Sequence, residues 1–275
     1  MRVHHLNLGT LRPLGGRLID GQGGYLHRAE LVCHALLIET GSGLVLVDTG
    51  FGHRAITRPR DWLGSGFIAL TGARPRGEET ALAQVKALGF APEDVRDIVL
   101  THLDLDHAGG LADFPEATVH VYEREHQALT RPRNRVERTR YRQIQFQHGP
   151  RWQTYGEHGE NWFGFDAVRE LKGLPPEILL VPLSGHTAGH TGVAVDTGDG
   201  WLLHAGDAYF FHGQLSPFDP HCTPGLATFQ VLVQTISAER KENLRRLRAL
   251  AAEHRDDIRI FSAHSPDELR LLRRG

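Results

Sequence analysis

Four side chains that could bind a metal ion fall within six residues of this sequence. They are His102, Asp104, Asp106 and His107, and they directly follow a short apolar run (97–101) that is predicted to be a buried strand. Because α/β folds place their sites at the carboxyl ends of strands, a turn at this point can aim several side chains at one centre. Imidazole and carboxylate ligands suit zinc, iron or manganese.

Three further residues of ligand type each come shortly after an apolar run elsewhere in the chain. They are His186, Asp207 and His264. Any one of them alone could be an ordinary hydrogen-bonded loop residue. Four ligands from one loop cannot enclose two metals, so the remaining ligands must come from other loops. The set of seven therefore predicts a metal centre assembled from four segments.

Strands and helices alternate around these residues. Two glycine-containing turns, E-T-G-S-G and D-T-G-D-G, predict hairpins over 32–48 and 193–205 and hint at two related halves, although two unrelated hairpins would look the same. The other predicted strands are 97–101, 118–122, 178–183 and 258–262, and the predicted helices are 78–88, 123–129 and 237–254. This order favours helices that cover a sandwich of sheets.

Two segments fit no regular element and are expected to be loops, 54–76 and 131–165. Long loops in compact domains often form lids or binding loops, so 131–165 is the expected substrate-site insert. Its first part holds six arginines, which could recruit an anionic substrate or form a solvated helix face. Its second part is rich in aromatic residues: Phe146, Trp152, Tyr155, Trp162, Phe163 and Phe165. These rings could form an apolar wall beside the metals. Alternatively, they could pack within the insert or form a homodimer contact.

The 275-residue chain is expected to form a single domain, 1–275, in the cytoplasm. Its net charge of −2 provides no drive toward nucleic acid. Neither a membrane-length apolar run nor a signal-peptide pattern is present in the sequence, so no membrane partner is expected. The two cysteines fit a reducing compartment, and Cys33 lies in an apolar run that is typical of core residues.

Taken together, these motifs resemble those of the metallo-β-lactamase superfamily. Asp48-Thr49-Gly50 is similar to its first motif and 102–107 to its second, while His186, Asp207 and His264 match the remaining three. The resemblance implies an α/β fold of the αββα sandwich type, in which two packed mixed β-sheets are flanked by helices and the metals lie at one edge.

The resemblance also implies how two divalent metal ions are held. The first site would take His102, Asp104 and His186, the second would take Asp106, His107 and His264, and Asp207 would bridge them. Asp48 would orient a ligand without binding metal. His190 is expected to have an orienting or structural role.

Asp104 departs from the superfamily pattern, which usually has histidine at this position. Two divalent cations, three carboxylates and one hydroxide sum to zero charge, where a histidine would leave one positive charge. The additional carboxylate favours harder metals, and flavodiiron proteins of this superfamily resemble the chain in carrying one there. Zinc is the first expectation, with iron or manganese as alternatives, and a site with one weakly held metal is also open.

Within the superfamily, the chain resembles acyl-homoserine lactonases and related ester hydrolases. The resemblance rests on the D-T-G hairpin, the Leu88-Gly89-Phe90 turn and the H-A-G-G continuation after His107. It implies that a metal-bound hydroxide cleaves a lactone or other small carboxylic ester. Asp106 could accept a proton, and Tyr209, one residue short of the lactonase register, is the candidate donor to the substrate carbonyl.

Three alternatives stay open at this point. The same two-metal site could hydrolyse phosphoesters or phosphotriesters. The carboxylate of Asp104 could instead indicate a diiron redox protein of the same fold. A non-catalytic binding protein is disfavoured, because the fold alone does not require the full ligand set.

Overall fold

A computed structural model describes residues 1–274, and in it the chain forms two six-stranded sheets packed face to face. The first sheet has the order β1 (Arg2–Leu11), β2 (Leu31–Thr40), β3 (Gly43–Val47), β4 (Val95–Val99), β5 (Thr118–Tyr122) and β6 (Arg151–Tyr155). The second has the order β12 (Ile258–Phe261), β11 (Trp201–His204), β10 (Thr191–Asp196), β9 (Ile178–Pro182), β8 (Phe165–Glu170) and β7 (Glu160–Trp162). The predicted αββα sandwich is confirmed.

The two predicted hairpins occupy corresponding places in the two sheets. β2 and β3 are antiparallel, as are β10 and β11. The second strand of each hairpin then pairs in parallel with the next strand of its sheet, β3 with β4 and β11 with β12. The structure thus repeats one arrangement in both halves, as the two similar turns suggested.

Nine α-helices cover the sheets in the described part of the chain. They are α1 (Arg54–Thr57), α2 (Pro59–Leu63), α3 (Ser65–Thr71), α4 (Ala81–Ala87), α5 (Glu123–Thr130), α6 (Arg135–Arg140), α7 (Pro224–Val233), α8 (Ser237–Glu253) and α9 (Pro266–Leu272). None of the helices among residues 1–274 is long and apolar enough to cross a membrane.

The expectation that 54–76 and 131–165 fit no regular element is wrong, whereas the helix face offered for the arginine-rich part agrees with α6. The first segment holds the short helices α1 to α3, and the second holds α6, β6 and β7. Helices of four to seven residues are too short to show an apolar period, and Gly64, at a φ of 86°, interrupts the pattern between two of them. β6 is an edge strand that pairs with β5, and its mostly half-exposed residues lack the apolar run of a central strand.

Side chains point alternately to the two faces of each sheet, and this alternation divides the core into layers. Leu36 and Ile38 of β2 face the second sheet, where they meet Val193 and Phe261. Leu37, the intervening residue, belongs to the outer layer beneath α4 and α5. On the far side of the molecule, α8 covers the second sheet with its buried leucines 244, 247 and 250. Each buried leucine contributes roughly 1.5–3 kcal/mol of hydrophobic stabilisation, which holds the sheets in fixed register.

Strand direction determines where the candidate metal-binding side chains meet. β3 and β4 run parallel, and in the second sheet β9, β11 and β12 share one direction because β10 is antiparallel to both β9 and β11. The loops that follow these strands carry all seven predicted ligands, together with Asp48.

Candidate metal centre

The predicted ligand side chains converge on the carboxylate of Asp207. Its Oδ1 lies 3.4 Å from Nε2 of His107 and 3.2 Å from Nε2 of His264. Its Oδ2 lies 3.4 Å from Nε2 of His186 and 3.8 Å from Nε2 of His102. The ligand atoms therefore form two groups of three, each within 4.8 Å, that share Asp207.

Orphaned polar atoms show that this cluster fits metal ions. Nε2 of His102, Nε2 of His107 and Oδ1 of Asp207 are buried and have no hydrogen-bond partner among residues 1–274. Burying such groups unpaired costs free energy, and a cation removes that cost by taking their lone pairs. The nitrogen and oxygen donor set is the one that zinc, iron and manganese accept.

Asp106 and His264 form a third group with an unexpected neighbour. Oδ2 of Asp106 lies 3.7 Å from Nε2 of His264, and Sγ of Cys33 lies within 4.8 Å of ligand atoms of both residues. Cys33 is buried on β2 and packs in the apolar cluster that contains Phe51 and Phe210, as the sequence predicted. Its closeness to the ligands gave no signal in the sequence, because Cys33 stands alone in an apolar run.

Asp104 makes a bidentate ion pair with Arg140, the last residue of α6. Nε and Nη2 of Arg140 donate to the two carboxylate oxygens at 2.6 and 2.5 Å, and Oδ2 also lies 3.0 Å from Nε2 of His186. Burial raises the pKa of Asp104, but the charge of Arg140 and the nearby imidazoles of His102 and His186 outweigh it and hold the pKa well below its usual range. In the sequence, nothing distinguishes Arg140 from the neighbouring arginines of 131–142.

Asp48 orients His107 through the ring nitrogen that faces away from Asp207, as the resemblance implied. Its Oδ2 lies 2.8 Å from Nδ1 of His107, and its two oxygens also accept bonds from the N–H and hydroxyl of Thr101. Burial lowers the pKa of His107, but the charges of Asp207, Asp48 and Asp106 outweigh it and raise the pKa to about 10. The carboxylates thus create a strongly negative field that favours any cation in the cluster.

Two buried residues hold the ligand loops in place without belonging to the ligand set. His190 donates from Nδ1 to the carbonyl of Leu183 and accepts at Nε2 from the N–H of Asp207, at 3.0 and 2.8 Å. Glu125 on α5 accepts from the N–H of Leu103 at 3.0 Å and from the N–H of Gly189 at 3.1 Å, which ties the loop after β4 to the loop after β9.

The structure does not bring Tyr209 to the ligand cluster, which corrects its expected role as a carbonyl donor. The side chain is fully buried in the layer beneath α8, and its hydroxyl donates to Oε1 of Glu268 at 2.8 Å. Phe210 points the other way and stacks on His264, with ring centroids 5.1 Å apart. Tyr209 and Phe210 thus face opposite sides of the loop, so the one-residue difference in register decides which ring reaches the site.

A cavity of about 740 Å³ opens on the cluster. Its floor includes Asp104, Asp106, His186, Asp207 and His264. Its walls are predominantly apolar and come from the segment after β1, α3, α6, the loop after β11 and α7. They include Leu14, Ile19, Phe67, Leu70, Val136, Phe210, Leu226, Phe229 and Leu232.

The segment 131–165 contributes to this cavity through its arginine-rich part only. Val136, Thr139 and Arg140 of α6 line it. The aromatic residues of the segment do not; Phe146 and Trp152, for example, pack on the outer face of the first sheet. The packing alternative for the aromatic part is therefore the one that the structure supports.

The sequence profile of the metallo-beta-lactamase superfamily matches residues 28–253. With this match, the fold and the cluster, the chain belongs to the metallo-beta-lactamase superfamily. A probable metallo-hydrolase of Mycobacterium tuberculosis is 39% identical over 99% of this chain and 83% of its own length. The N-acyl homoserine lactonase AttM of Azorhizobium caulinodans is 29% identical over 97% of this chain and 94% of its own.

Solved structures show the same fold. An AiiA variant from B. thuringiensis, crystallised with N-decanoyl-L-homoserine at its active site, superposes with a TM-score of 0.71 and 19% identity over 98% of this chain and 95% of its own. An N-acyl homoserine lactone hydrolase with N-hexanoyl-L-homoserine bound at its metal centre superposes with a TM-score of 0.70, also at 19% identity, over 98% of this chain and 95% of its own. The likeness at this identity shows a shared architecture.

Proposed function

We propose that this chain is a metal-dependent hydrolase that cleaves a lactone or other small carboxylic ester with an apolar acyl chain. One observation carries the proposal: a mostly apolar cavity of about 740 Å³ ends directly on a cluster of five carboxylate and imidazole side chains. This volume lies within the range that is typical of small-molecule sites. A neutral, mostly apolar substrate with one reactive polar group fits such a cavity.

The cluster would hold two divalent ions, with zinc as the first expectation. His102, His186 and Asp104 would serve one ion, while His107, His264 and Asp106 would serve the other. The two oxygens of Asp207 face both histidine groups, which supports a bridging role. The ions would supply Lewis acidity toward the ester carbonyl and activate water for attack.

The residues of this chain supply position, proton transfer and exclusion of water. Asp48 and His190 hold His107 and Asp207 in place through hydrogen bonds of 2.8 Å. Asp106 lies on the cavity floor and would accept and return a proton as the tetrahedral intermediate collapses. Phe210 presents an apolar face beside His264, so it provides shape and no hydrogen bond.

The apolar walls would bind the acyl chain. Burying one methylene is worth about 0.8 kcal/mol, so each methylene added to the substrate should lower KM about three- to fourfold until the cavity is filled. The relatives named as acyl-homoserine lactonases act on substrates of this class, which agrees with the proposal.

The proposal is tested with purified, zinc-loaded protein and a panel of acyl-homoserine lactones of increasing chain length, simple lactones, aryl esters and phosphotriesters. We expect hydrolysis of lactones or esters with a chain-length dependence in KM, and a large loss of kcat in Asp106→Asn. Cleavage of phosphotriesters alone would overturn the proposal in favour of phosphoester chemistry. Cleavage of no member of the panel would also overturn it.

A matched pair of variants on α7 tests the acyl site. Phe229 lines the cavity, whereas Val231 on the same helix is exposed and lies outside the lining. We expect Phe229→Ser to raise KM for long-chain substrates and to leave KM for the shortest ones nearly unchanged. Val231→Ser should change neither, and an equal effect of both variants would contradict an acyl chain along this wall.

A further inference from the structure

Arg140 lies against the ligand set with hydrogen bonds in three directions. It donates from Nε and Nη2 to both oxygens of Asp104, and the same Nη2 lies 2.7 Å from Nε2 of His186. Its Nη1 donates to the carbonyl of Val233 at 2.7 Å, on the cavity wall at the end of α7. The side chain is only 13% exposed.

These contacts use the atoms that a cation would need at the first position. Zinc binds carboxylate oxygen and imidazole nitrogen at about 2.0–2.2 Å, and each lone pair serves one partner at that range. Nε2 of His186 has a single lone pair, so it cannot accept from Nη2 of Arg140 and bind a divalent ion at the same time. Both oxygens of Asp104 accept from the guanidinium, which neutralises the charge that would attract a cation. The repulsion between a guanidinium and a divalent ion a few ångströms apart adds to the conflict.

We propose that Arg140 competes with the cation for Asp104 and His186 and thereby sets the affinity of the first metal position. The inference rests on the metal centre of the proposed function but concerns binding, not turnover. Arg140 neutralises a largely buried carboxylate that stands where the superfamily usually has a neutral histidine. The ion that binds there must displace Arg140, so the first position is filled at a higher free metal concentration than the second.

Release of Arg140 also has a structural consequence. Arg140 ends α6, a helix of six residues that Asn134 caps by accepting from the N–H of Glu137 at 2.9 Å. The bonds of Arg140 to Asp104 and Val233 connect this short helix to the ligand loop and to the end of α7. Metal binding at the first position should therefore loosen α6 along one wall of the cavity.

The direct test is zinc titration in competition with a chromophoric chelator. We expect the wild type to bind two zinc ions with clearly separated affinities. Arg140→Met should tighten the weaker step at least about tenfold, because bonds to a charged group are worth that much or more in an equilibrium. Arg138→Met is the matched control, since Arg138 is exposed on the same helix, and it should bind zinc as the wild type does. Unchanged zinc affinities in Arg140→Met would overturn the inference.

Hydrogen exchange on the wild type provides a second test that needs no variant. We expect the backbone amides of 135–140 to exchange faster when zinc is saturating than when it is absent, while those of α8 become slower or stay the same. Equal or slower exchange of 135–140 with zinc would contradict the competition. If Arg140→Met shifts the zinc affinity but the protein cleaves no lactone or ester, the inference stands and the proposed function fails. If the protein cleaves such substrates but Arg140→Met leaves the zinc affinity unchanged, the proposed function stands and the inference fails.

Discussion

The carboxylate of Asp48 lies 2.8 Å from Nδ1 of His107 and so decides which ring nitrogen of His107 faces the cluster. With Nδ1 engaged by Asp48, Nε2 is left 3.4 Å from Oδ1 of Asp207 and has no hydrogen-bond partner among the described residues. A carboxylate in this role also makes the imidazole a better electron donor. Asp48 therefore acts on the candidate metal centre through its contact with His107.

Asp48→Asn should weaken zinc binding about 10- to 100-fold while preserving the fold. The amide keeps the size of the carboxylate but removes its charge, and it presents an N–H₂ group to one of the donors that Asp48 now satisfies. Chelator competition measures the affinity, and circular dichroism monitors the fold.

Asp97→Asn is the control for this substitution. Oδ1 of Asp97 lies 2.9 Å from Nε2 of the buried His120, so the variant breaks a comparable pair away from the ligands. Zinc affinity should stay at the wild-type value in Asp97→Asn. Equal losses in the two variants would mean that Asp48 has no specific link to the centre.

Glu125→Gln should destabilise the protein by about 2–4 kcal/mol and reduce zinc retention. Glu125 is fully buried and accepts from the N–H groups of Leu103 and Gly189 and from the hydroxyl of Tyr141. Glutamine offers one acceptor oxygen and turns an N–H₂ group toward a donor, which leaves a buried group unsatisfied. Urea unfolding measures the stability, and zinc content after gel filtration measures retention.

Tyr141→Phe is the comparison for Glu125→Gln. It removes only one of the three donors to Glu125, at 2.9 Å, and leaves both loop amides bound. A loss of about 1 kcal/mol with full zinc retention is expected. If Glu125→Gln kept both its stability and its zinc, the idea that Glu125 joins the two ligand loops would fail.

Substitutions at the neighbouring residues Tyr209 and Phe210 should affect substrate binding differently. Tyr209→Phe loses one hydrogen bond to Glu268, so we expect a loss of about 1 kcal/mol of stability and a kcat within about twofold of the wild type. Phe210→Ala removes a buried ring that lines the cavity and stacks on His264, so we expect a raised KM and a loss of about 3–5 kcal/mol. A fall in kcat of a hundredfold in Tyr209→Phe would show that its hydroxyl reaches substrate after all.

Glu268 should make stability fall as pH rises from about 4.5 to about 7. Burial raises the pKa of Glu268 from 4.5 to about 7 and outweighs the bonds it accepts from the N–H of Ser262 and the hydroxyl of Tyr209. In this window the unfolded chain has released the proton while the folded chain still holds it, so rising pH favours unfolding. Below pH 4.5 both states are protonated, and above about 7 the loss is complete.

The measurement is the unfolding free energy of wild type and Glu268→Gln in urea at several pH values. Relative to Glu268→Gln, the unfolding free energy of the wild type should fall by about 2–3 kcal/mol between pH 4.5 and 8. Glu253→Gln, at an exposed position at the end of α8, should show no such trend. A constant difference between wild type and Glu268→Gln across this range would exclude the raised pKa.

The strand ends and the candidate ligands that follow them were readable from the sequence because the signals are local. An apolar run followed at once by His102, Asp207 or His264 needs no distant partner to be recognised, and parallel strands bring such ends to one edge. The hairpin turns before Leu44 and Trp201 are equally local, since their glycines mark them within five residues. The short helices in 54–76 carried no comparable signal, because one or two turns cannot display a helical period.

By itself, the sequence determined the fold class, the seven candidate ligands and the orienting role of Asp48. Only the tertiary structure decided that Arg140 pairs with Asp104, that Cys33 lies beside Asp106 and His264, and that Phe210 rather than Tyr209 faces the cavity. The physical reason is that each of these facts depends on contacts between segments far apart in the chain or on the facing of a single residue in a turn. A spacing pattern records the order of residues along the backbone, whereas side-chain partners are selected by packing in three dimensions.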